Sequence, residues 1–307
     1  MASTKEIQNR ISSVRDTMKI TNAMYMMSSM KLRKAKQQLE HTEPYFFGLQ
    51  DAIADILIHF PTMEHLYFDN RDEDRQQTVR NKGYVIVTGD KGMAGAYNHN
   101  VLKQAEALLE GQKDSRLFVV GELGRHYFTH NGYNVDEEFL FSANSPSMHR
   151  AHVIMEQLLE LYDREELDEI HIIYTNLDRG VAETVKHKRI LPLDTQEILR
   201  KENPSKSVDG EYALFYPDPK TVLENMVKNY VVGFVYGALV ESFASEENAR
   251  MLAMQSATDN AQAMLDDLRI QFNRVRQAAI TQEITEVISG AKALKKKKIK
   301  QQQRRKH

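Results

Sequence analysis

The chain has 307 residues, 41% of them hydrophobic, which is enough for one large or two ordinary domains with a real core. The absence of cysteine excludes a disulfide framework, a thiol nucleophile and a cysteine-ligated zinc site. The net charge of −2 conceals a segregation, because the chain from Ala291 onward contains lysine and arginine but no acidic residue.

A long amphipathic helix is predicted from Ile7 to about His59, with a bend expected at Pro44. At ~1.5 Å per residue it is on the order of 80 Å long, too long for the inside of a small globule. Apolar and small residues recur at alternating steps of four and three, the heptad pattern of a coiled-coil seam. The seam consists of Ile7, Ile11, Val14, Met18, Thr21, Tyr25, Ser28, Leu32, Ala35 and Leu39.

The middle of the chain is typical of an α/β domain. Short β-rich runs occur at Tyr84–Thr88, Leu117–Val120 and Ile170–Thr175, and Thr184–Leu191 is a further candidate strand. Helical patterns separate them, at about Tyr97–Leu109, Gly121–His130 and Ser147–Tyr162. Strands that alternate with helices predict a parallel sheet with crossover helices. Polar linkers are expected at Asp69–Asn81 and Lys201–Gly210.

A glycine loop, VIVTGDKGMAG at residues 85–95, joins the first strand to the next helix. Phosphate-binding loops occupy such positions. However, the glycines are spaced G-x-x-G-x-x-G, which matches neither the P-loop nor the dinucleotide fingerprint, and no glycine precedes Lys-Ser or Lys-Thr. We therefore interpret the loop as a tight turn at which a backbone or a partner approaches closely.

A second long helix is predicted to begin with Asp218 as its N-cap and Pro219 as its first residue. Its seam slips by one residue after Ala279, so that the packed face is expected to rotate there. The first part of the seam is Met254, Thr258, Ala261, Leu265, Leu268, Phe272, Val275 and Ala279. The second part is Ile280, Ile284, Val287, Ala291 and Leu294. Seams at opposite ends of one chain indicate an antiparallel coiled coil.

The predicted fold class is therefore α/β, with a long antiparallel coiled coil of N- and C-terminal helices and an inserted Rossmann-like parallel-sheet α/β domain. The expected division is an N-terminal coiled-coil helix at 1–68, the α/β domain at 69–216, a C-terminal coiled-coil helix at 217–294 and a basic disordered tail at 295–307.

Candidate catalytic and metal-binding groups are isolated. The pairs His149/His152 and His126/His130 each share a helical face but have no third ligand at a recognised spacing. We predict no catalytic residue, no cofactor and no metal. The longest apolar run, Tyr230–Val240, is shorter than the ~20 residues that a bilayer-crossing helix needs. Neither a secretory signal nor a transit peptide is evident, since the first segment is polar and contains Glu6 and Asp16.

Three separated segments share residues with one known family. The last helix carries an Ile-Thr pair, two spaced acidic residues and a Gly-Ala pair: Ile280, Thr281, Glu283, Glu286, Gly290 and Ala291. The first helix contributes Arg10, Ile11, Val14, Lys19, Ile20, Thr21, Ala23 and Met24, and the glycine loop contributes Asp90, Gly92, Gly95 and Asn98. In this order the segments resemble the gamma subunit of F-type ATP synthases, and they cover nearly the whole chain.

The resemblance implies a rotor shaft. In the family, the coiled coil stands inside a ring of alpha and beta subunits, and the α/β domain forms a foot, with epsilon, on the proton-driven membrane ring; delta belongs to the same complex. ATP chemistry takes place in beta, and the orientation of gamma sets which site is open. Because no transit peptide is evident, we expect a bacterial member of this family, peripheral on the cytoplasmic face of the cell membrane.

The resemblance further implies the partner contacts. Arg276, Gln277 and Thr281, with Glu283 beside them, would meet loops of the catalytic subunits, and Met24 would lie near an equivalent contact on the first helix. The glycine-loop residues Asp90, Gly92, Gly95 and Asn98 would belong to the foot.

Three alternatives remain at this point. A static coiled-coil scaffold fits the periodicity as well as a rotor does. A nucleotide-binding α/β enzyme with helical arms predicts that the isolated chain binds ATP. Nucleic-acid binding through the basic tail predicts a contact that weakens steeply with salt.

Overall fold

The computed structural model describes residues 4–61, 63, 65–68, 81–112, 115–178, 182–200 and 216–304, the last ten without their side chains. The helices and strands in chain order are α1 (Thr4–His59), β1 (Lys82–Val87), α2 (Tyr97–Leu109), β2 (Arg116–Val120), α3 (Glu122–His130), α4 (Met148–Asp163), β3 (Glu169–Asp178), β4 (Ala182–Leu191), α5 (Thr195–Arg200) and α6 (Pro219–Arg304).

The chain divides into two compact units. The first combines Met1–Tyr25 with Met254–His307, and the second consists of Met26–Ala253. Each of the two longest helices, α1 and α6, contributes to both units.

In the first unit, the predicted seams pack as expected. On α1, every seam position from Ile7 to Tyr25 is buried or half-buried, whereas Ile20, outside the seam, is 61% exposed. On α6, Met254, Leu265 and Leu268 are buried. The less apolar part of the seam is bridged by polar atoms, because the hydroxyl groups of Thr21 and Thr258 lie 2.8 Å apart. The antiparallel coiled coil predicted from the periodicity is thus confirmed.

The second part of the α6 seam is not packed, which corrects the sequence prediction. Residues 276–294 are all exposed, including Ala279 and the second-seam positions Ile280, Ile284, Val287, Ala291 and Leu294. The pairing of Thr21 with Thr258 explains where packing stops. In this antiparallel register Thr4, the first residue of α1, falls opposite Val275, which is also the last half-buried position of α6.

The second unit contains a four-stranded sheet in the order β2-β1-β3-β4. β1 runs parallel to both β2 and β3, as expected for strands joined by crossover helices. β4 was predicted as a strand, but it runs antiparallel to β3. Only residues 179–181 separate the two strands, whereas a parallel return needs a connection of about a dozen residues or more. The sheet of the predicted α/β domain is therefore mixed.

Helices cover both faces of this sheet. On one face, buried side chains of α2 and α3, such as Val101, Ala105 and Phe128, pack against Ile86 and Val119. The other face packs against α4 and against the parts of α1 and α6 that belong to this unit. There α1 and α6 approach closely at Gly233, because a Cβ atom added to it would lie 1.7 Å from the ring of Phe46.

Most boundaries of the predicted elements agree with the structure. α1 continues through Pro44 to His59, and Asp218 caps α6 by accepting a hydrogen bond from the amide of Thr221 at 2.9 Å. α5 was not predicted. Most of the linker Asp69–Asn81 and all of Lys201–Gly210 lie outside the described residues. The proposed division at residues 68, 216 and 294 remains a prediction.

The predicted disorder of the basic tail is wrong for most of its length. α6 continues to Arg304, so the backbone of residues 295–304 is helical; residues 305–307 lie outside the described part of the chain. Lysine, glutamine and arginine have high helix propensities, and cations are favoured near a helix C-terminus. These local preferences outweigh the repulsion between like charges on which the prediction of disorder depended.

Candidate functional site

The glycine loop after β1 is held in place by the carboxylate of Asp90. This group accepts hydrogen bonds from the amides of Glu122, Ala143 and Asn144, each at 3.2 Å, and from the side chains of Ser142 and Asn144. One side chain thereby joins the end of β1, the beginning of α3 and the segment that follows residue 141. The predicted contact residue Asp90 is an internal anchor of the loop.

Hydrogen bonding stabilises the charged form of Asp90. Burial alone would raise the pKa of its carboxyl group, but the donors from Ser142, Ala143, Asn144 and Glu122 outweigh burial and hold the pKa below its ordinary value of 3.8. The stabilising contribution of this carboxylate is therefore present above pH 3.8 and is lost as the pH falls through the lower pKa of the folded state.

Asp90→Asn is expected to destabilise the full chain by about 1–2 kcal/mol, because the new NH₂ group faces amide donors that need an acceptor. Urea unfolding at pH 7 measures this loss of stability. Lys91→Ala, a substitution at the exposed neighbouring position, is the control and should have no measurable effect. The difference between wild type and Asp90→Asn should shrink towards pH 3. A constant difference across this range would contradict an anchor that acts through its charge.

The amides that a phosphate would need at the start of α3 are already occupied. Glu122 N donates to Asp90, Leu123 N donates to the carbonyl oxygen of Gly89, and Gly124 N donates to Thr88 Oγ1. Phosphate binding at a strand-to-helix loop depends on free amides at this position. The chain's own carboxylate, carbonyl and hydroxyl groups occupy these three amides of α3. The glycine loop itself leads into α2, the helix before β2.

The remaining loop residues have different roles. Asn98 accepts a hydrogen bond from the amide of Gly89 through Oδ1 at 2.8 Å. Gly95 has a φ of 54°, and a Cβ atom on it would lie 3.8 Å from the carbonyl oxygen of Ala249 on α6. Gly92 is exposed, with no atom within 4 Å of an added Cβ. Among the four predicted loop contacts, Gly92 is therefore the most open to a partner.

A buried charged cluster on α6 supports this loop, and sequence reasoning missed it. Glu246, Glu247 and Arg250 are at most 9% exposed. Arg250 binds both carboxylates, and Lys31 of α1 lies 3.1 Å from Oε1 of Glu247. A Cβ atom on Gly89 would lie 2.8 Å from Oε1 of Glu246. The spacing of Glu246 and Glu247 to Arg250 was the available signal, but such spacing is common on exposed helices.

The predicted contacts on α6 lie in its exposed part. Arg276, Gln277, Thr281 and Glu283 are all exposed. The hydroxyl of Thr281 donates to the carbonyl oxygen of Gln277 at 2.9 Å, a local bond that leaves both side chains facing solvent. Met24 on α1 is half-buried in the same unit. The four α6 residues therefore have the accessibility that a contact with another protein requires.

The histidine pairs His149/His152 and His126/His130 both lie within the part of the chain that the structure describes. Among the described residues, no group of three or more His, Asp or Glu side chains is arranged to hold a metal ion. None of the helices that the structure describes is long and apolar enough to cross a membrane.

Comparison with known proteins identifies relatives along nearly the whole chain. The family profile described as ATP synthase matches residues 3–294. The ATP synthase gamma chain of Acetivibrio thermocellus is 46% identical over 301 residues, which cover 96% of this chain and 100% of the relative. The gamma chain of Caldanaerobacter subterraneus subsp. tengcongensis is 40% identical, with 94% and 98% covered. A gamma chain of Acetobacterium woodii described as sodium ion specific is 37% identical, with the same coverage.

Solved structures share the fold. The central stalk and c-ring structure of the Tetrahymena thermophila mitochondrial ATP synthase contains a chain that matches with a TM-score of 0.56 and 20% identity, covering 78% of this chain and 99% of that one. A chain in the Euglena gracilis mitochondrial ATP synthase matches with a TM-score of 0.53 and 17% identity, covering 89% and 95%.

Proposed function

The chain belongs to the ATP synthase gamma family, and from this premise we propose that it is the central rotor shaft that couples ion flow through a membrane ring to ATP synthesis in a catalytic head. Its partners are the alpha and beta subunits of the head, the epsilon and delta subunits and the membrane ring. The chain itself is non-catalytic and peripheral, on the cytoplasmic face of a bacterial cell membrane.

One observation supports the shaft most directly. From Arg276 to Leu294, the part of α6 beyond Val275 whose side chains the structure describes, every residue is exposed. Five large apolar side chains there are each 48–72% exposed: Ile280, Ile284, Val287, Ile288 and Leu294. An exposed apolar stretch on a helix is a common mark of a surface that another protein covers. A sleeve formed by the head would cover these side chains without requiring a pocket on the shaft.

The contact residues divide into two groups in this proposal. Arg276, Gln277, Thr281 and Glu283 present polar groups from the exposed part of α6 to the catalytic subunits, and Met24 contributes from α1. In the foot, Gly92 and Gly95 lie at the contact surface, whereas Asp90 and Asn98 act indirectly by holding the loop that carries the two glycines.

A rotation experiment tests the function. Because the chain contains no cysteine, His126→Cys on the exposed side of α3 gives this chain a single attachment point, and the purified variant is labelled with an optical probe before the complex is assembled. In a complex with the head immobilised through its alpha and beta subunits, addition of ATP is expected to turn the probe repeatedly in one direction. A non-hydrolysable ATP analogue is the matched control and should produce no continuous turning.

Other outcomes would favour the alternatives. A probe that stays fixed while the head hydrolyses ATP would contradict the rotor and support a static scaffold. Saturable ATP binding by the isolated chain, measured by equilibrium titration, would support a nucleotide-binding enzyme. We expect no such binding, since the glycine spacing of the loop before α2 matches neither the P-loop nor the dinucleotide fingerprint.

A further inference from the structure

A chain of polar side chains crosses three strands on the sheet face that α2 and α3 cover. His171 Nε2 lies 3.1 Å from Oε2 of Glu169, and His187 Nε2 lies 3.1 Å from Nδ1 of His171. Lys82 of β1 lies 3.3 Å from the same oxygen of Glu169. The series therefore links β1, β3 and β4 through side chains, independently of the rotor role.

The rings in this series are also stacked. The centroid of the Tyr84 ring lies 5.0 Å from that of His171, and the His171 centroid lies 5.0 Å from that of His187. His171 is buried between its neighbours, whereas His187 is exposed on β4. Within the described strands, β4 ends the sheet and pairs with β3 alone. The contact with His171 is therefore a second attachment for the edge strand.

The direction of the hydrogen bonds follows from the carboxylate. Glu169, paired with Lys82, only accepts, so His171 Nε2 must donate to it. In neutral His171 the other nitrogen, Nδ1, is then an acceptor, and His187 Nε2 donates to it. One added proton is tolerated on either ring. A protonated His187 still donates through Nε2 to Nδ1 of His171, and a protonated His171 can donate at both nitrogens if His187 changes its tautomer and accepts.

A second proton cannot be accommodated. With both rings protonated, every ring nitrogen is a donor, so two N–H groups would face each other over the 3.1 Å that separates His187 Nε2 from His171 Nδ1. The two positive charges would also repel, with further positive charge nearby on Lys82 and on Arg189, which pairs with His171 in the strand register. On the α2 side, Tyr84 donates to the uncharged side chain of Gln112.

We propose that the His171–His187 pair is an acid-sensitive latch, which fastens the edge strand β4 to β3 while the pair holds at most one proton and releases it when both rings are protonated. The latch consists of Glu169, His171 and His187.

The pH range in which β4 loses protection follows from the difference in proton binding between the closed and the opened form. Although His187 is exposed at the surface of β4, its ring is partly buried by the stacked neighbour. This partial burial, then His171 and then Lys82, lower the pKa of His187 from 6.5 in the closed form. The opened form binds a proton with an ordinary pKa, so β4 is fully protected above about pH 6.5 and loses protection as the pH falls below it. One unit below that value, at pH 5.5, the opened population should increase by up to about tenfold.

Hydrogen–deuterium exchange of the full chain tests the latch. Protection factors of peptides from β3 and β4 are compared between pH 7.5 and pH 5.5, after correction for the intrinsic exchange rate. Wild type is expected to lose protection by up to about tenfold, whereas His187→Gln, which cannot become charged, should change less than about twofold. His99→Gln, at an exposed position of α2, is the matched control and should behave as wild type.

Two results would overturn the proposal: no acid-induced loss in wild type, or the same loss in His187→Gln. If His187→Gln is already poorly protected at pH 7.5, His171→Gln replaces it and should also be insensitive to pH. His65, whose pKa is lowered mainly by burial, is present in all variants and cancels in the comparison. The measurement involves neither ATP nor partners, so its outcome is separate from that of the rotation experiment.

Discussion

Replacing Gly121 with alanine is expected to destabilise the full chain by about 3 kcal/mol or more. Gly121 precedes α3 with φ 94° and ψ 141°, a conformation that residues with a side chain rarely adopt. In addition, a Cβ atom there would lie 2.3 Å from the carbonyl oxygen of Thr88. Because that contact involves backbone, relief requires α3 to move away from the end of β1.

The variant Gly132→Ala distinguishes the cost of the positive φ from the cost of the clash with Thr88. Gly132 also has a positive φ, 75°, but nothing lies within 4 Å of an added Cβ atom. Its replacement should therefore cost only the conformational term, about 1 kcal/mol. Both variants are compared by urea unfolding at equal protein concentration. Equal losses would show that the clash with Thr88 is relieved without a significant cost, and the close-approach explanation of Gly121 would be wrong.

Arg250→Met is expected to have a comparable effect, about 3–5 kcal/mol, because it leaves two buried carboxylates without their main partner. The exposed fractions of Glu246 and Glu247 are 3% and 1%. Oε2 of Glu247 has no hydrogen-bonding partner among the described residues, so this side chain depends on Arg250 and on Lys31. The loop around Gly89 should also loosen, since it packs on Glu246.

The stability loss caused by Arg250→Met should depend on pH, because it involves the charge of Glu246. Burial already raises the pKa of Glu246 in the native protein, while Arg250 opposes that shift. A raised pKa of a carboxyl group means that the charged form is penalised in the folded state, and that the penalty disappears as the pH falls below that pKa. Without Arg250 the penalty is larger, so the deficit of Arg250→Met should shrink on acidification.

Two variants serve as controls. Arg269→Met removes an exposed ion pair with Asp266 at the same helix spacing, and it should change stability by less than about 0.5 kcal/mol. The double variant Arg250→Met/Glu246→Gln should recover part of the loss, because one buried charge is gone. If Arg250→Met costs no more than Arg269→Met, the buried cluster does not stabilise the fold.

Sequence patterns located most elements correctly but not their surroundings. The limits of α2 agree with the predicted Tyr97–Leu109. The predicted strand Thr184–Leu191 ends where β4 ends and begins two residues after the start of β4 at Ala182. The direction of β4 was missed because alternation along one strand carries no information about its neighbour. The glycine spacing distinguished the loop from known phosphate-binding patterns, but it could not show that the loop is held by hydrogen bonds from Ser142, Ala143 and Asn144, more than fifty residues away.

By itself, the sequence determined the two coiled-coil helices, the inserted α/β domain and the family, because periodicity, capping and motif spacing are properties of neighbouring residues. Only the tertiary structure decided where the coiled coil stops, that Asp90 binds within its own chain, and that Arg250 and Lys31 neutralise the same buried carboxylate. It also decided that His171 meets His187. These features depend on the register between distant segments, which is set by packing of the whole core.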